Sequence, residues 1–273
     1  MITSFDRAAI ANPRRTLRTA VLAAVAVSVL VLPQGAAARR VSIPFDPANF
    51  SDPLDIDNPF LPMVVGTTTI YRAEGKDGCE EARVTVTSAT KVIAGVTARV
   101  VHDEAFEDEE CDGSLVLVER TDDWFAQDDA GNVWYLGEAT EDCEGAGNCE
   151  PGPGAWQAGV AGAKAGIIML ATRRPGDQYY QEIARGTAED QAKIIGVATT
   201  VTLTRDDAFS PGQWTNCLKT KEWTQLEPGH VEHKYYCRNI GLVAVDELHG
   251  GTVRFELVGG TGALRFRKVP KGN

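Results

Sequence analysis

The chain has 273 residues, with 27 Lys plus Arg against 38 Asp plus Glu, and a formal net charge of -11. That balance disfavours a nucleic-acid binder working through a general basic surface, because the phosphate backbone would repel it. Hydrophobic residues at 43% and charged residues at 24% match a globular protein with a core of its own and exclude disorder along most of the length.

Arg7, Arg14, Arg15 and Arg18 precede an apolar run from Ala20 to Leu32, then Pro33-Gln34-Gly35 and the small residues Ala36-Ala37-Ala38. This is the pattern of a signal peptide over 1–38, cleaved near Ala38. The 13-residue run falls short of the roughly 20 needed to cross a hydrocarbon core, so no transmembrane anchor is expected in the mature form. Arg14-Arg15-Thr16-Leu17-Arg18 fits the twin-arginine route, and Sec export explains the segment equally well. Either way the expected location is secreted or cell envelope. Removing the four Arg and one Asp of 1–38 takes the net charge to -14. All six Cys lie in the mature part, and an even number in an oxidising destination favours disulfides. No C-x-x-C pair occurs, so neither a zinc ribbon nor a thioredoxin-type site is supported.

Pro44, Pro47, Pro53, Pro59 and Pro62 punctuate residues 39–62, which read as an extended N-terminal arm because Pro cannot donate to a sheet ladder. Residues 63–273 read as a single β-rich domain. Short runs rich in Val, Thr and aromatics predict strands at Thr67 to Tyr71, Ala82 to Thr87, Val96 to Phe106, Leu115 to Glu119, Trp124 to Gln127 and Val133 to Leu136. Glu141 to Gly166, rich in Gly, Glu and Ala, reads as an irregular insertion. The strand pattern resumes at Gln178 to Ile183, Ile195 to Thr204, Asn216 to Thr224, Val231 to Cys237, Leu242 to Glu247, Thr252 to Val258 and Ala263 to Phe266. A capping-box pattern at Thr187 and Asp190, before Ala192 and Ile194, predicts one short helix. The expected fold class is all-β and mainly antiparallel: a curved sheet or partial, open barrel with irregular insertions and at most one or two short helices.

Opposed residues in a hairpin share a constant index sum, which tests the Cys pairing. Cys79 with Cys111 centres a turn on Gly95 and sets Val84 opposite Phe106, Val86 opposite Glu104 and Ser88 opposite His102, gathering mostly apolar positions on one face. Cys217 with Cys237 centres on Glu227, beside Pro228 and Gly229, but sets Glu222 against Glu232, an unfavourable opposition of like charges. Cys143 and Cys149 remain and close a small loop.

The acidic run Asp77, Glu80, Glu81, Glu107, Asp108, Glu109, Glu110 and Asp112 crowds the open end of the first hairpin. Asp108, Glu110, Asp112 and Glu119 have the spacing of an EF-hand calcium loop. Against this stand strand-like flanks, Val116 at a ligand position, and the alternative of a solvated acidic edge that discourages edge pairing. No cofactor is therefore expected, with calcium the one candidate. His102, following Val96, Ala98 and Val100 in period two, is expected to face inward with Glu104 two positions on, where it could act as the base of a hydrolase or isomerase. A satisfied interior His is the plainer alternative. His230 and His233 straddle strand faces and make a poor metal pair, and the sequence has no H-E-x-x-H, G-x-S-x-G, P-loop or Rossmann signature. Trp124, Phe125, Trp134 and Tyr135 flank the turn signal Asp128-Asp129-Ala130-Gly131-Asn132 and read as cross-strand packing or as the lining of a ligand cavity.

The stretches DWFAQDDAGNVWY (Asp123 to Tyr135), NCLKTKEW (Asn216 to Trp223) and HKYYCRNIGLV (His233 to Val243) resemble a family of uncharacterised secreted bacterial proteins, over most of the mature chain. The resemblance implies a secreted β-rich protein and no mechanism. The functional expectation is a secreted, disulfide-stabilised binding or envelope-associated protein, non-catalytic, with a small hydrophobic ligand as the candidate partner.

Overall fold

A computed structural model describes residues 39–76, 78–209, 212–248 and 253–262. The signal segment 1–38, Asp77, His249 and the strand expected at Ala263 to Phe266 lie outside them. The strands are β1 (Arg39–Arg40), β2 (Thr68–Gly75), β3 (Gly78–Ile93), β4 (Val96–Asp108), β5 (Val116–Gln127), β6 (Val133–Cys143), β7 (Cys149–Pro151) and β8 (Trp156–Gln157). They continue as β9 (Gly166–Met169), β10 (Asp177–Tyr180), β11 (Gln191–Leu203), β12 (Gly212–Trp223), β13 (Val231–Cys237), β14 (Gly241–Glu247) and β15 (Val253–Thr261). All belong to one open mixed sheet in the order β1-β10-β11-β12-β13-β14-β15-β2-β3-β4-β5-β6-β7, with β8 and β9 both pairing with β6. Every pairing is antiparallel except β1 on β10. Two meanders, β2 to β7 and β10 to β15, are thus joined through β15 and β2, and the chain crosses between them by way of β8 and β9.

The first hairpin departs from the expected register. Ala94 and Gly95 both have positive φ, 47° and 86°, forming a two-residue turn whose twist matches that of the strands. Ile93 therefore faces Val96, and after a bulge between Val86 and Thr90 the pairs are Val86 with Val101, Val84 with Asp103 and Thr85 with His102. The index sum is odd rather than even, and a one-residue slip turns every side chain of the partner strand to the other face. Val101 and Asp103 face inward, and His102 and Glu104 face outward. Cys79 pairs with Asp108 on the ladder, and its disulfide reaches past the strand end to Cys111 in the following turn.

The expected helix at Thr187 is replaced by a tight turn. The Thr187 and Ala188 amides both donate to the Ala184 carbonyl, at 2.9 and 2.8 Å, and the Gly186 amide donates to Glu189 Oε1 at 2.9 Å. From Gln191 the chain joins β11, whose ladder with β12 satisfies its backbone better than an isolated helical turn could. The segments expected at Leu115 to Glu119 and Trp124 to Gln127 are one strand, β5, whose polar middle places Thr121 and Asp123 on the buried face. In the insertion, β8 docks on β6 at Gly137, where a Cβ would sit 2.2 Å from the Trp156 carbonyl oxygen. The arm carries β1 and a single 3-10 turn, Pro47–Asn49, capped by Asp46.

Disulfides join Cys79 to Cys111, Cys143 to Cys149 and Cys217 to Cys237. The β12–β13 ladder does oppose Glu222 to Glu232. Lys234, two residues along the same face, resolves the repulsion. Its Nζ lies 3.3 Å from Glu222 Oε2 and 3.0 Å from Glu232 Oε2, and its side chain is 7% exposed. Burial opposes the ammonium charge, but the two carboxylates outweigh it and raise its pKa. Lys234→Met is expected to cost about 3 to 5 kcal/mol in urea unfolding, because breaking a buried pair strands its partners. Adding Glu222→Gln and Glu232→Gln should recover most of that loss.

Candidate functional site

The aromatic residues of β5 and β6 form a packed wall. Phe125 stacks on Tyr135 at 4.7 Å between centroids, and Tyr135 meets Trp156 edge-on at 5.4 Å. The turn between the strands is tied by one carboxylate. Asp128 Oδ1 accepts from the Ala130 and Asn132 amides at 3.0 and 2.8 Å, and Oδ2 accepts from Trp134 Nε1 at 2.8 Å. The arm is anchored to this turn through Asn58, whose Nδ2 donates to the Gly131 carbonyl at 2.8 Å. Next to it the Asn239 amide donates to the Pro59 carbonyl at 2.7 Å. Two adjacent residues thus tie the arm to both the β5–β6 turn and the β13–β14 turn.

Beneath it lies an apolar cavity of about 70 Å³. Leu61 of the arm, Met63 just after it, Val84 and Val86 of β3, Phe125 of β5 and Leu242 of β14 contribute to its wall. Thr67 also lines it; this residue is 3% exposed and its Oγ1 has no hydrogen-bond partner among the described residues. Tyr71 and Tyr236, also in the wall, spend their hydroxyls on the Leu242 carbonyl and Glu222. A buried hydroxyl without a partner is costly, so Thr67 gives this mainly apolar space an uncommitted polar contact.

A second cleft, of about 170 Å³, is acidic, lined by Glu119, Glu138, Asp142, Glu182, Asp190 and Glu227 among others. Tyr135 Oη lies between Asp123 Oδ1 and Glu138 Oε2, the latter at 2.7 Å. A phenol has one proton to give, so the second contact needs a carboxyl that keeps its own. In agreement, burial and then the Asp123 charge push Glu138 up to about 8, and burial raises Asp123 as well. Burial also raises Glu182, with the Asp190 charge adding to it, and pushes Asp190 up to about 6. The two cavities have separate linings, connected through intervening groups: Phe125 lines the apolar one and stacks on Tyr135, which bonds Glu138 of the acidic one, and Tyr236 lines the apolar one and donates to Glu222 Oε1 at 3.3 Å.

The structure does not gather the four carboxylates of the calcium pattern. Asp108 closes its own turn, accepting from the Asp112 and Gly113 amides at 3.3 and 2.7 Å, and Asp112 accepts from the Ser114 amide at 2.9 Å. Glu110 is exposed in that turn, whereas Glu119 stands on β5 at the acidic cleft. Among the described residues no group of three or more His, Cys, Asp or Glu could hold a metal ion. His102 does not face inward: its Nδ1 meets Asp122 Oδ1 at 2.9 Å on the outer face, with Glu104 at 3.9 Å from Nε2. His230 lies 3.6 Å from Glu232. The apolar pocket escaped the sequence reading because its wall comes from segments more than a hundred residues apart.

No family model matches the chain, and no curated protein matches it. Among solved structures, a candidate exported protein with a YmcC-like fold from Bacteroides fragilis aligns at a TM-score of 0.41 and 12% identity, over 74% of this chain and 99% of its own. A candidate lipoprotein from Parabacteroides distasonis aligns at 0.34 and 11%, over 74% and 98%.

Two outcomes are expected in solution. A carboxyl whose pKa is raised in the folded state binds more protons there than in the unfolded chain, where Glu titrates at about 4.3. Stability should therefore fall as pH rises toward 8, where Glu138 titrates, and Glu138→Gln should flatten that slope in thermal melts. Because the carboxylates of the calcium pattern are spent or dispersed, a chelator is expected to leave the melting temperature unchanged in differential scanning fluorimetry.

Proposed function

We propose that this protein is an exported, disulfide-stabilised binding protein, non-catalytic, that holds a small hydrophobic ligand in the apolar pocket beneath its arm. The observation that carries this reading is the pocket itself, an oily cavity with Thr67 as its one unpartnered buried polar contact. Recognition sites for small molecules characteristically combine an apolar lining with few, placed polar groups. A cavity of about 70 Å³ suits the end of an alkyl chain rather than a fused ring. The export signal pattern over 1–38 and the three disulfides support a working environment outside the reducing cytosol.

The test is isothermal titration calorimetry with dodecanol, a neutral single-chain alcohol. Saturable binding at one site per chain is expected. Val84→Trp fills the pocket and should weaken binding by about tenfold, or some 1.4 kcal/mol. Absence of saturable binding, or unchanged affinity in the Val84→Trp protein, would overturn the proposal.

A further inference from the structure

Beside the apolar pocket the arm presents Phe60 between two cations. The Arg173 guanidinium carbon lies 4.6 Å from the Phe60 ring centroid, and that of Arg238 lies 5.9 Å from it. The pocket wall adjoins this cluster in sequence: Phe60 is followed directly by Leu61, and Arg238 stands two residues before Ile240, both lining residues, while Arg173 reaches the cluster through its contact with Phe60. The arm and the β13–β14 turn are locked together here by the Asn239 amide on the Pro59 carbonyl, 2.7 Å, and by Pro62 packed toward Gly241.

This pair stands at one ring without a counter-charge. Arg72 and Arg83 both reach Glu81 at 2.6 Å, and Arg254 reaches Asp246 at 2.6 Å and Glu256 at 2.7 Å, whereas Arg40 and Arg99 spend donors on Gln191 and the Ser88 carbonyl. Among the described residues no carboxylate forms an ion pair with Arg173 or Arg238. Arg173 spends one donor on the Leu170 carbonyl, which leaves most of its fork unused. Partial burial lowers its pKa, and the neighbouring Arg238 lowers it further, so the two cations repel each other across Phe60. An oxyanion between them would relieve that repulsion and engage guanidinium groups in the geometry they favour for carboxylate and phosphate.

We infer that the pocket's ligand is an anionic amphiphile: an alkyl chain enters the cavity beneath the arm, and its oxyanion head is held by Arg173 and Arg238. The inference rests on the apolar-pocket reading and adds the head group to it. The stacking of both guanidiniums on Phe60 holds the pair ready before ligand arrives.

The purified protein is titrated at neutral pH with dodecanoate, dodecyl phosphate and dodecanol, each followed by isothermal titration calorimetry. Dodecanoate or dodecyl phosphate should bind about tenfold or more tightly than dodecanol, as charge-assisted hydrogen bonds require, and the stronger of the two identifies the head. The advantage should shrink as salt rises. The Arg173→Gln, Arg238→Gln double variant should lose this preference and keep the dodecanol affinity of the parent, which also reports that it is folded. Equal binding of all three by the parent, or a preference that survives in the double variant, would overturn the head-group assignment and leave the apolar pocket standing. No binding of any of the three would overturn both.

Discussion

The buried triad of Glu222, Lys234 and Glu232 is the constraint around which the second meander is arranged. Strand pairing sets two carboxylates directly opposite each other on a face that water does not reach, and a sheet cannot keep that arrangement without a cation. Lys234 supplies it from the same face. Other groups then take their places from Glu222: Gln181 Nε2 donates to it at 3.1 Å, as do Thr220 Oγ1 at 2.6 Å and Tyr236 Oη at 3.3 Å. Tyr236 in turn forms part of the apolar wall. The register of β12 on β13, the position of β10 and the shape of the pocket are coupled through one ammonium group.

The inner face of the sheet is consequently divided. On one side the arm covers aliphatic residues and a stacked aromatic pair. On the other, Asp123, Glu138, Glu182 and Asp190 share an environment that favours their neutral forms. Carboxyls that keep their protons need no counter-ion, which is how a chain of such negative charge can fold several of them inward. Cations are instead placed where charge is unavoidable, at Glu81 and Glu256, each flanked by arginine. Arg173 and Arg238 meet at the Phe60 ring instead.

The strands were legible in the sequence where Val and Thr alternate between clear turn residues, and Val231 to Cys237 has the same bounds in the structure. The like-charge opposition at Glu222 and Glu232 was also legible, but its resolution by Lys234 was not, because a lone lysine in a strand gives no sign of facing inward. The first hairpin misled for a local reason. Ala94 occupies a left-handed conformation usually marked by Gly or Asn, so the turn read as centred on Gly95, and the parity of the pairing followed. His102 read as inward from its spacing with Val96, Ala98 and Val100, which are buried, yet it is itself partly exposed beside Asp122. Thr187 misled because a capping pattern is a local signal, and the ladder of β11 is not local. The pocket was beyond reach, since Leu61, Val84 and Leu242 meet only through the path of the arm and the order of the strands.

That strand order has a consequence for how the molecule is made. The last described strand, β15, lies between β14 and β2, so the two meanders are stitched together by pairs such as Tyr71 with Leu257. Until nearly the whole polypeptide is available, β2 remains an open edge, and edges of this kind recruit foreign strands. Contacts this distant in sequence also slow folding. The N-terminal half therefore has to wait for β15 with that edge open, and the exposed carboxylate of Glu74 on β2 discourages sticking while it does.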